Sequence, residues 1–144
     1  MTILNKQKKV RLSLRALEDS YEKILRQLKL KSGAADIALV TDAEIARLNR
    51  TYRKKSEPTD VLSFPAHSLR KPASRNKFLG DIAIAPAVAR RYARENGRPL
   101  ETEICVLILH GILHLLGYDH ETDRGQMDRV EYKLRRRLGL EPLF

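Results

Sequence analysis

At 144 residues the chain has the length of one domain, enough to bury about two-thirds of its unfolded surface around a single core. Its 28 Lys and Arg against 18 Asp and Glu leave a net charge of +10, beyond what solubility needs, which favours a polyanionic partner with nucleic acid first. A single cysteine, Cys105 in an apolar run, excludes an internal disulfide. The N-terminal Met-Thr-Ile-Leu-Asn-Lys-Gln-Lys-Lys lacks a signal-peptide h-region, and the longest uncharged run, 104–118, falls short of the roughly 20 residues of a membrane span. A soluble, cytoplasmic setting without a membrane is the expectation.

Taken in chain order, residues 2–10 read as a short strand. Ser13 to Leu30 follows as a helix, with Leu14, Leu17, Tyr21, Ile24, Leu25 and Leu28 on one stripe and Lys31-Ser32-Gly33 ending it. Asp36 to Val40 alternates as a strand does. Thr41 or Asp42 caps a second helix, with Ile45 and Leu48 facing the core. Asp60 to Phe64 reads as a strand closed by Pro65, and Ala66 to Lys77 as a basic surface loop. Leu79 to Ala85 resumes strand character, Pro86 opens a helix to Glu95, and Asn96-Gly97 ends it. Leu100 to Leu116 is apolar nearly all round, the mark of a buried central helix. A last helix, about Asp123 to Leu138, carries Met127, Val130, Leu134 and Leu138 on its inner face. The expected fold is a single α+β domain, about five helices around a small mixed sheet.

The central helix carries the chemistry. Three of the four histidines fall within eleven residues, in His110-Gly-Ile-Leu-His114-Leu-Leu-Gly117-Tyr-Asp-His120. On a helix, positions 110 and 114 are one turn apart, about 6 Å along the axis and about 40° around it, so both imidazoles can converge on one ion. Gly117 admits the positive φ that lets the chain leave the helix and return His120 as a third ligand. Three imidazoles leave one tetrahedral position open, as in a catalytic zinc site, whereas structural sites close with four protein ligands. The spacing is that of the zinc-protease pattern H-E-x-x-H-x-x-G-x-x-H, except that Gly111 stands where the protease keeps its general-base Glu. Peptide hydrolysis needs a group to carry a proton to the departing amine, while phosphodiester cleavage relies more on positive charge and metal coordination.

Two further segments, Tyr52-Arg53-Lys-Lys55-Ser-Glu-Pro58-Thr59-Asp60-Val-Leu-Ser-Phe64-Pro65 and Leu79-Gly80-Asp81-Ile82, precede the histidine motif. The three motifs in this order closely resemble the YbeY endoribonuclease family of bacterial ribosomal RNA maturation factors, from about Asp36 to the last helix. The resemblance implies a zinc-dependent, single-strand-specific endoribonuclease acting on ribosomal RNA, notably at the small-subunit 3′ end, and in ribosome quality control. It implies one zinc ion held by His110, His114 and His120, and places the family's functional arginine on Arg53. Ribosomal subunits or ribosomal proteins become expected partners.

A planar, always charged guanidinium suits phosphate oxygens, so Arg53, with Lys55 beside it, is assigned to stabilising charge on phosphorus. Members often carry Gly-Lys-Asp after that arginine, whereas this chain has Lys54-Lys55-Ser56, which puts in doubt any role for an acid there. Taken without the resemblance, Arg53 is a solvated surface residue. Asp81 fits a ligand-orienting carboxylate and a turn cap equally well; Asp119 and Glu121 read as exposed turn carboxylates, ahead of orienting an imidazole or relaying protons, and Met127 as plain core, ahead of a place under the metal. Two other functions compete: a zinc metalloprotease-like hydrolase, and a non-catalytic ribosome-assembly factor in which zinc staples the fold.

Overall fold

The computed structural model of the chain describes residues 3–53, 59–66, 78–118 and 124–140, with Arg53 by its backbone alone. Four strands form, β1 (Ile3–Asn5), β2 (Ala35–Leu39), β3 (Val61–Pro65) and β4 (Gly80–Ile84), with alternating burial in β2. Five helices accompany them: α1 (Leu14–Gln27), α2 (Asp42–Arg53), α3 (Pro86–Glu95), α4 (Leu100–Leu115) and α5 (Gln126–Leu138). The sheet order is β1-β2-β4-β3, with β1, β2 and β4 parallel and β3 the antiparallel edge. The result is the expected α+β arrangement of five helices on a small mixed sheet. No helix among the described residues is long and apolar enough to cross a membrane.

The two faces of the sheet are covered differently. Ile37, Leu39, Ile82 and Ile84 point into the main core, where α4 packs with α1 and α5. The alternate positions Ala38, Leu62, Phe64 and Ala83 meet Ile45 and Leu48 of α2 in a second, smaller cluster. Helix α4 is buried at Ile104 to Leu109, at Gly111 to Leu113 and at Leu115, because it is wedged between sheet and helices. His110 and His114 are its partly exposed positions in the last two turns.

Several boundaries differ from the sequence expectation, each for a local reason. β1 is three residues long rather than nine: Gln7 folds back to bond Val10 through both its amide atoms, at 2.9 and 3.0 Å, so the chain leaves the sheet. Helix α1 starts at its Ser13 cap but ends before Lys31. Lys29 adopts φ 58°, Leu30 N–H bonds the Leu25 carbonyl and Lys29 N–H that of Arg26, a Schellman close that buries Leu30 against the helix. Helix α5 begins at Gln126, since the chain bends at Arg124 and Gly125. The 66–77 loop lies outside the described residues beyond Ala66.

Two contacts set the position of α4 and its neighbours. The Tyr21 hydroxyl on α1 donates to the Ala35 carbonyl at 2.7 Å and accepts from the Ala35 N–H at 3.0 Å, clamping α1 to the start of β2. Burial raises the Tyr21 phenol to about 12. At Gly111 the helix lies so close to β4 that an added Cβ would sit 2.9 Å from Ile82 Cδ1 and 3.1 Å from its Cγ2. Ser63 Oγ on β3 donates to the Gly111 carbonyl at 3.4 Å on the same side.

Tyr21→Phe strands two buried backbone groups and should lower unfolding free energy by about 1–3 kcal/mol in urea denaturation. Because the folded phenol titrates above its unfolded value, its stabilisation is complete below pH 10 and is lost as pH rises toward about 12. The Phe variant should therefore lose the late step in ultraviolet titration of the five tyrosines. Gly111→Ala overpacks a fully buried contact and should destabilise by about 1–3 kcal/mol, and Ile82→Val in the same chain should recover part of the loss.

Candidate metal centre

Helix α4 orients the first two imidazoles. The Nε2 atoms of His110 and His114 lie 3.0 Å apart, with ring centroids at 4.6 Å and planes at 77°. Two nitrogens bound tetrahedrally to zinc at 2.0–2.1 Å would be about 3.3 Å apart, so the pair needs only a slight opening to share one ion. The donor set, two imidazole nitrogens facing each other, fits zinc chemistry as far as the described residues extend.

After His114 the helix closes with a second Schellman pattern. Gly117 takes φ 101°, its N–H bonds the His114 carbonyl at 2.9 Å, and Tyr118 N–H bonds that of Leu113 at 3.0 Å. This is the exit the sequence assigns to Gly117. His120, Asp119 and Glu121 lie outside the described residues, and among the described residues no group of three metal-ligating side chains occurs. Arg53 is the last residue of α2, whose helix packs on β3, and Lys55 lies outside the described residues.

The other nitrogen of His110 has a partner that sequence reasoning missed. His110 Nδ1 is 3.2 Å from Glu131 Oε1 on α5, with the two side chains 26% and 16% exposed. A sequence cue exists: Glu131 is four residues after buried Met127 and three before buried Leu134, an acid on the inner face of the helix. Among the described residues, Asp60, at the entry to β3, is a further carboxylate near this ring. Burial raises its carboxyl above the usual range, while its own backbone N–H and then His110 pull it down.

Among the described residues, Asp81 lies away from the His110 and His114 imidazoles. It projects from the face of β4 opposite α4, in register with Asp36 of β2, and both line a groove with Leu48 and Phe64. Burial, and then Asp36, raise its carboxyl. Met127 is buried in the main core, as plain packing requires.

Gly111, the residue that separates this motif from the protease pattern, is buried against Ile82, and a glutamate side chain there would run into the sheet. Behind α4, Arg98 and Glu103 pair at 3.1 Å with both side chains buried. Desolvation raises Glu103, opposed first by Arg98, and lowers the Arg135 guanidinium, opposed by Glu131 and Glu103.

Comparison with known proteins agrees over nearly the whole chain. The family model described as Endoribonuclease YbeY matches residues 2–139. An Endoribonuclease YbeY of Solibacter usitatus is 50% identical over 115 residues, covering 79% of this chain and 73% of that protein. One of Aquifex aeolicus is 45% identical over 119 residues, covering 83% and 77%. A Thermotoga maritima protein solved in solution superimposes with a TM-score of 0.64 at 31% identity, covering 94% of this chain and 87% of that one. The chain therefore belongs to the YbeY endoribonuclease family.

Proposed function

We propose that this protein is a zinc-dependent endoribonuclease that cuts single-stranded ribosomal RNA, acting in maturation of the small-subunit 3′ end and in ribosome quality control. The observation that carries the reading is the 3.0 Å separation of the His110 and His114 Nε2 atoms on a buried helix of a YbeY-family fold. His120, three residues after Gly117 in the sequence, is the third ligand in this reading. When bound, zinc supplies Lewis acidity that neutralises phosphoryl charge and lowers the pKa of water.

The chain's own residues supply the rest. Arg53, at the end of α2, offers a planar fork of donors to phosphate oxygens, with Lys55 adding charge beside it. Gly111 leaves the helix without a general base, which suits a leaving alkoxide stabilised by charge better than an amine that must be protonated. The net charge of +10 supplies affinity for the RNA backbone, and in the cell the product RNA and its ribosomal subunit are the expected partners.

A cleavage assay on matched single-stranded and duplex RNA tests the reading. Single-stranded RNA should be cut, duplex spared, chelation should abolish cutting, and added zinc should restore it. Arg53→Ala should lower the rate by about 10²–10³-fold with zinc binding intact. His114→Ala should abolish cutting while the protein stays folded by circular dichroism; unfolding of that variant would mark zinc as a staple instead. Cleavage of an unstructured peptide with RNA untouched would favour the protease reading. In a separate measurement, affinity for single-stranded RNA should fall by about 10³-fold or more between 50 and 200 mM salt if six or more phosphates are contacted. A salt-independent affinity would show that backbone charge does not drive binding.

A further inference from the structure

We propose that Glu131 is the positioning residue of the metal centre, accepting the Nδ1–H of His110 and thereby making the last helix a determinant of metal affinity. The inference rests on the zinc reading above and deepens it.

The geometry gives His110 two different neighbours. Its Nδ1 faces a carboxylate oxygen at 3.2 Å, and its Nε2 faces the His114 Nε2 at 3.0 Å. In a neutral imidazole, a hydrogen bond from Nδ1 to a carboxylate oxygen places the single proton on Nδ1 and leaves the Nε2 lone pair on the side that faces His114. A neutral imidazole free of that contact chooses between two tautomers, and the other one points an N–H where a ligand lone pair is needed. A carboxylate behind a ligating histidine fixes the ring angle as well as the tautomer.

Glu131 is itself held in place. Met127 and Leu134 on the same helix are buried in the main core, so α5 cannot rotate Glu131 away without exposing them. Arg135, one turn further on and buried, interacts electrostatically with Glu131 and with Glu103 of α4, which ties the carboxylate to the charged groups behind the central helix. His110 and Glu131 are 21 residues apart in sequence and on different helices, so the contact reports how α5 docks on α4.

The test measures zinc affinity by competition with a chromophoric chelator, and the His110 tautomer by long-range nitrogen–proton NMR of the zinc-free protein. The expected result is a 10- to 100-fold weaker zinc dissociation constant for Glu131→Ala. Glu131→Gln, whose amide oxygen still accepts the Nδ1–H, should recover most of the loss. In the unaltered protein His110 should carry its proton on Nδ1. Equal zinc affinity of Glu131→Ala and the unaltered chain overturns the proposal, and so does a His110 protonated on Nε2, a measurement that needs no variant to fold. Failure of the unaltered chain to bind zinc overturns the metal reading and with it the role of Glu131 in metal affinity, whereas zinc binding that is unchanged in Glu131→Ala overturns the role of Glu131 alone.

Discussion

The close approach of helix α4 to strand β4 at Gly111 is the constraint on which the rest of the structure depends. Without a side chain at that position the helix settles onto Ile82, within reach of the Ser63 hydroxyl on the edge strand. The helix is thereby enclosed by sheet, α1, α3 and α5, and its apolar sequence is used on every side. An interior packed to crystal-like density gives such a helix little freedom to shift. The two histidines at its rim sit on that packed helix, the kind of rigid support that the proposed metal site needs.

The same contact accounts for the chemistry that is missing. In the protease pattern the residue after the first histidine carries the base, and here that residue is spent on packing. A helix that must lie this close to its sheet cannot also present a carboxylate from position 111. Acidic groups reach His110 from elsewhere: Glu131 from α5, by direct contact, and Asp60 from the entry to β3, by its field. Behind them the Arg98–Glu103 pair and Arg135 form a buried set of charges. Buried pairs of this kind add little net stability compared with apolar packing, but breaking one partner is costly, so they tie the helix ends together specifically.

Much of this is legible in the sequence. The 3.6-residue stripe of Leu17, Tyr21, Ile24 and Leu25 predicts α1, and the unbroken apolar run after Leu100 predicts the buried α4, since burial and period leave few alternatives. Gly117 marks the helix exit because positive φ is costly for other residues. Less local features were hidden. Lys29 ends α1 in a conformation that favours glycine, with Leu30 buried in the core just after it, and no residue preference announces that. The fold-back of Gln7, which shortens β1, depends on a side-chain bond rather than on any pattern.

The amino-acid sequence by itself determined the α+β class, the burial of the central helix and the one-turn spacing of His110 and His114, because these follow from periodicity and helix geometry along a single segment. Only the tertiary structure decided the strand order, the opposite faces given to Asp81 and Ile82, the packing reason for Gly111, and the pairing of Glu131 with His110. Each of these joins residues far apart in the chain, and the free energy that selects such contacts comes from burying whole faces together, which no local window of sequence contains.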